Sequence, residues 1–180
     1  MVRITIKFLF IFYAIVIASS CTSSVPYPQN WPEITNEIVH DCKNFEGSYK
    51  NFNGKFYLSD LFGLEEIILH KDQKIKLSYL ENKNMIVKVL DTYNEKKSFK
   101  INPNYMDYTC DDGTINIKGK PEFFIHPWII SSSSPLIKLK TAEDQSIIAN
   151  IIHKSNTLAF FIVPIFSNNT EWRQWKRISE

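Results

Sequence analysis

The chain is poor in the residue patterns that most catalytic and nucleotide-binding sites require. Five glycines in 180 residues leave no Gly-rich loop to cradle a phosphate. The four histidines, His40, His70, His126 and His153, stand singly, with no HxH, HExxH or Hx3H spacing. His40-Asp41 reads as the end of an element rather than as a ligand pair. No GxSxG elbow occurs, and the serine run 131–134 has no base nearby and stops at Pro135, which marks it as a loop. There are three cysteines and no CxxC. Charge of neither sign dominates: 21 Lys+Arg stand against 19 Asp+Glu. That balance supplies no electrostatic drive toward nucleic acid. Long hydrophobic runs are also missing. The longest, residues 8–17, would rise about 15 Å as a helix, roughly half of a 30 Å bilayer core. No residue therefore qualifies as catalytic or metal-binding, and no cofactor is expected.

What is present begins with that run. Arg3 and Lys7 precede it, and Ala18, Ser19 and Ser20 lead from it to Cys21. The length and flanks are those of a secretory signal over residues 1–20. Small residues before a cysteine resemble the lipobox of bacterial lipoproteins, although Ala18 stands where that pattern usually has Leu. The resemblance implies a diacylglyceryl thioether on Cys21, cleavage before it, and acylation of the new amino group. A thiolate is nucleophilic enough to form the thioether, and two or three acyl chains anchor stably where one does not. Ala18 and Ser20 equally fit an ordinary cleavage site, which would release a soluble secreted protein. The resemblance further implies the outer membrane as destination, because Thr22 follows the cysteine where an inner-membrane lipoprotein of the enteric type has Asp.

Loss of Arg3 and Lys7 with the leader brings the mature chain to 19 basic residues against 19 acidic ones. Residues 21–30, polar and proline-bearing, read as a flexible lipid-anchored tether. Trp31-Pro32-Glu33 is expected to open a short helix ending near Asp41-Cys42, with Ile34, Ile38 and Val39 at helical spacing and Trp31 plugging the end of the domain. In an oxidising compartment Cys42 and Cys110 are expected to form a disulfide.

From Phe45 onward the period changes to two. Strands are expected over residues 46–54, 74–80, 85–93, 97–101, 105–110, 114–118, 123–130, 136–140, 146–153, 157–166 and 172–177. Asp111-Asp112-Gly113 is a hairpin turn; with Asp107 it lacks the full ligand spacing of a calcium loop. Residues 58–69 break the pattern as a short helix or crossover. The aromatics are assigned to core packing. Asn168-Asn169-Thr170 is a glycosylation sequon, relevant only in a eukaryotic chain. The fold class is thus mainly β: residues 31–180 form a single antiparallel β-barrel or sandwich preceded by a short N-terminal helix. Gly47-Ser48-Tyr49 after a short helix resembles the Gly-x-Trp start of lipocalins, which implies a barrel that could hold an apolar molecule. The expectation is a lipid-anchored envelope protein of non-enzymatic contact type. Its partners would be the membrane, through the anchor, and an envelope protein; the alternative is a lipocalin-like carrier.

Overall fold

The computed structural model describes residues 22–35, 42–64, 71–80, 84–90, 96–101, 107–160 and 163–179. The leader, Cys21, His40 and His70 lie outside them, as do residues 36–41, so the body of the expected N-terminal helix is not described. Its expected start is not helical. Ile34 forms a β-bridge to Ala142, and the Thr35 N–H donates to the Thr141 carbonyl at 2.9 Å. Pro32 suits a helix start, but here the extended backbone finds partners on a sheet edge instead. A short 3-10 turn follows at Cys42–Phe45.

Among the described residues, twelve strands make two sheets. The five-stranded sheet contains β2 (Gly47–Lys50), β3 (Lys74–Leu80), β4 (Asn84–Leu90), β5 (Lys96–Ile101) and β12 (Arg177–Ile178), in the order β12-β2-β3-β4-β5. The seven-stranded sheet contains β1 (Thr22–Ser23), β6 (Tyr108–Asp111), β7 (Thr114–Lys118), β8 (Glu122–His126), β9 (Ile129–Thr141), β10 (Ile147–Ala159) and β11 (Val163–Trp175). Its order is β1-β11-β10-β9-β7-β6, with β8 also on β9. All pairs are antiparallel except β1 with β11. Neither sheet closes on itself, which removes the barrel from the two expected architectures.

Alternation explains how the sheets meet. In β3 and β4, Ile75, Leu77, Met85, Val87 and Val89 are buried, with Ile75 opposite Val89 and Leu77 opposite Val87. The other sheet contributes Ile115, Ile117, Ile137, Leu139, Ile147, Ala149, Ile151 and Trp175 to the same core. Residues directly opposite in an antiparallel pair share a face, so one register sends all of these inward. Leu58, Leu61, Phe62 and Leu64 close one side, around a 3-10 turn at Ser59–Phe62 that ends on Gly63 at φ 68°. Cys42 and Cys110 stand at disulfide distance, Cα atoms 6.0 Å apart, and tie the N-terminal turn to β6. The Asp111-Asp112-Gly113 turn is the expected hairpin: Asp112 (φ 45°) and Gly113 (φ 67°) are both left-handed, as a tight two-residue loop needs.

Part of residues 22–30 lies against β11. Thr22 and Ser23 pair with Asn168 and Asn169 of β11, and the Trp172 indole donates to the Val25 carbonyl at 2.8 Å. Tyr27 sits edge-on to both Trp172 and Trp31. Packing Tyr27 between Trp31 and Trp172 of β11 offsets the freedom that proline and serine would otherwise leave this segment.

Candidate functional site

Three strands are thirteen residues long, but only half of each covers the core. The halves of β9, β10 and β11 near Thr141, Ile147 and Trp175 pack on the five-stranded sheet. The other halves, residues 129–134, 154–159 and 163–168, run on past it. β8 pairs alongside them, and together the four strands form an arm.

The joint between core and arm lies on one edge of β9, where β7 pairs with Leu136 to Leu139 and β8 with Ile129 to Ser133. Gly119 connects the two, donating its N–H to the Pro135 carbonyl at 2.8 Å. A Cβ on Gly119 would stand 2.3 Å from the Pro135 ring, so only glycine lets the connection pass this close. On β11 the exit from the core is closed by Arg173, whose guanidinium lies 3.3 Å from the Phe56 ring centre. Arg173 also donates to both Glu171 carboxylate oxygens, at 3.1 and 3.0 Å, and these bonds hold that carboxyl below its ordinary pKa.

The arm is apolar and exposed. Phe123 is 73% exposed, Ile125 78%, Trp128 61% and Phe160 67%. Phe124, Ile129, Ile130, Ile165 and Phe166 are exposed as well. The register assigns them to faces. On the outer face, continuous with the side of the sheet turned from the core, Ile125, Ile130, Leu158 and Pro164 form one row; Phe123, Ser132, Asn156 and Phe166 form the next. A shallow groove of about 280 Å³ runs there, with Phe123 and Phe166 among its walls. On the inner face lie Phe124, Ser131, Thr157 and Ile165, then Glu122, Ser133, Ser155 and Ser167. Its hydroxyls bond to one another, Ser131 to Thr157 at 2.8 Å and Ser155 to Ser167 at 2.7 Å. At the tip the Phe160 N–H donates to the Trp128 carbonyl at 2.7 Å, joining the two turns.

Charge is segregated. Residues 123–137 and 155–170 contain no Asp, Glu, Lys or Arg. Immediately below, the outer face carries Lys154, Lys118, Lys138 and Lys140 in successive rows, with Asp107 paired to Lys118 at 3.2 Å. β1 lies against this region. It runs parallel to β11, whose direction is from tip to core, so the N-terminal end of β1 faces the tip. Thr22, the residue that follows Cys21 in sequence, therefore stands at the base of the arm.

The expected site residues are distributed accordingly. Cys42 and Cys110 come together in the core, away from the arm. His126 is on the arm, its ring parallel to that of Phe124, and His153 lies in a row with Pro135 and Asn169. Among the described residues no three His, Cys, Asp or Glu side chains gather as a metal site. Two expectations are corrected here. Ser131 to Ser134 are not a loop but part of β9, where the Ser131 hydroxyl pairs with that of Thr157 across the strands. The aromatics at 123, 124, 128, 160 and 166 are not core, because the strands carrying them outrun the second sheet. The signal that marks them is the pair of charge-free stretches, which no buried strand needs at such length.

No family model matches the chain, and no curated protein or solved structure shows significant similarity to it. Among the described residues no helix is long and apolar enough to cross a membrane.

Proposed function

We propose that this chain is a lipid-anchored cell-envelope protein that works by contact, with the apolar arm as its contact surface. The observation that carries the reading is the arm itself: a four-stranded projection whose outermost rows carry no Asp, Glu, Lys or Arg, with exposed Phe and Ile on both faces and Trp128 at the tip. Soluble proteins rarely leave so much contiguous apolar surface without a use for it. The anchor is Cys21, acylated after removal of residues 1–20, and Thr22 in place of Asp supports export to the outer membrane. The carrier alternative draws little support from the interior, since Trp175, Tyr49, Phe45 and Phe62 fill the space between the sheets.

Labelled fatty acid and membrane fractionation test the anchor. The native chain takes up label and sediments with the outer membrane, and Cys21→Ser abolishes the label. Uptake unchanged in Cys21→Ser, or native protein in the inner membrane, overturns the corresponding half of the reading.

A further inference from the structure

We propose that the outer half of the arm inserts into one leaflet of an anionic bilayer, the leaflet that holds the acyl chains of Cys21. This deepens the contact reading above and rests on it.

Apolar surface on both faces and at the tip distinguishes a surrounding medium from a docked protein. A partner groove would cover one face, leaving either Phe123, Ile125 and Phe166 or Phe124 and Ile165 in water. A bilayer covers all of them. Two polar pairs suit the same medium, since Ser131 with Thr157 and Ser155 with Ser167 bond hydroxyl to hydroxyl without water.

Distance and charge agree with this. From Asn168, opposite Thr22, to Val163 at the tip is five residues, about 17 Å of strand at roughly 3.4 Å each. One leaflet's hydrocarbon is about 15 Å deep. With Cys21 at the glycerol level, the arm can sink into the leaflet that holds the anchor but cannot cross to the other side. Lys154, level with Thr22, and Lys118, in the next row of the outer face, then fall near the phosphates. Basic residues there gain about 1 kcal/mol each from an anionic surface.

The open edges of β8 and β11 limit the depth. Unpaired backbone N–H and C=O groups are costly in hydrocarbon. Pro164 on the β11 edge has no N–H to expose, but β8 has no such relief. The arm therefore enters tilted, with its tip rows among the acyl chains and the edges of the rows behind them in the hydrated interface.

The test uses the full chain in phosphatidylcholine–phosphatidylglycerol vesicles whose acyl chains carry mid-chain bromine. Bromine quenches tryptophan only at contact range. The expected result is partial quenching of emission that disappears in Trp128→Phe, a change at an exposed position whose unfolding midpoint should match the parent. In the Cys21→Ser full chain the same Trp128 quenching persists with phosphatidylglycerol present and weakens at high salt. If the anchored protein shows no quenching that depends on Trp128, insertion is wrong and the anchor stands. If Cys21 takes no acyl chain but Trp128 is quenched, the anchor fails and insertion stands. A detergent-stable dimer or protein complex that shields Trp128 from water without bromine quenching assigns the arm to protein and overturns the proposal.

Discussion

Tyr49 shows how much the core depends on single side chains. It is wholly buried on β2, and its phenol donates to the Phe45 carbonyl at 3.0 Å. Burial pushes that phenol up to about 12, with Arg177 pulling slightly the other way. The folded chain thus holds the proton more tightly than the unfolded chain, whose phenol titrates near 10. The resulting stability is fully present below pH 10 and is lost as pH rises toward 12. Its size is on the order of 2–3 kcal/mol, from about 1.4 kcal/mol per pH unit. Urea midpoints should fall between pH 10 and 12 in the parent, and Tyr49→Phe should flatten that fall; an unchanged slope would refute the assignment. Cys42 and Cys110 act at the same scale. Replacing both with Ser should cost about 4 kcal/mol in the chain-entropy account of a loop this long. Mass spectrometry of unreduced protein should show one linked peptide pair, and two free thiols in folded protein would contradict it.

At the scale of elements, the sequence pattern was most legible where strands face a core on one side. Lys74–Leu80 and Asn84–Leu90 alternate cleanly and pair as a hairpin in register. Asp112-Gly113 announces its turn because tight loops need left-handed residues. The arm was not legible, for a physical reason. Its turns are apolar: Pro127 and Trp128 between β8 and β9, and Phe160 after β10, carry none of the polar residues that mark a turn in water. Residues 123–130 and 157–166 therefore read as single strands, although each contains a turn that reverses the chain. The serine tract misled in the opposite sense, since four small polar residues before Pro135 look like a loop and are instead the middle of a strand. The candidate site was hidden with the arm, and aromatics in strands were assigned to the core by default.

The difference between arm and core has a measurable consequence. Phe123→Ser and Phe166→Ser lie on exposed surface and should shift unfolding by no more than about 0.5 kcal/mol. Leu139→Ala, on the same sheet but inside the core, should cost about 2–5 kcal/mol. Binding of an apolar dye should show the reverse order, reduced by the two Phe changes and not by Leu139→Ala at temperatures where that variant stays folded. A large stability loss from either Phe change would mean that the arm packs on something within the chain.

At the scale of the whole molecule the two ends differ in kind. One holds the disulfide, the shared core and the five-stranded sheet. The other holds the arm, the lysine rows beneath it and the start of β1, so a lipid on Cys21 and the apolar tip would address the same surface. Residues 21–180 are neutral as a sum, yet that neutrality conceals lysines collected on one face below a projection whose outermost rows carry no charge. Composition reports the sum, and only the register reports the segregation. Hydrogen–deuterium exchange on the full chain, in detergent solution and after reconstitution into anionic vesicles, tests the central claim most directly. Amides of residues 122–130 and 157–167 should slow on reconstitution while those of Lys74–Leu80 and Asn84–Leu90 stay unchanged. Slowing confined to the five-stranded sheet, or no slowing in the arm of membrane-bound protein, would contradict the assignment of the arm as the contact surface.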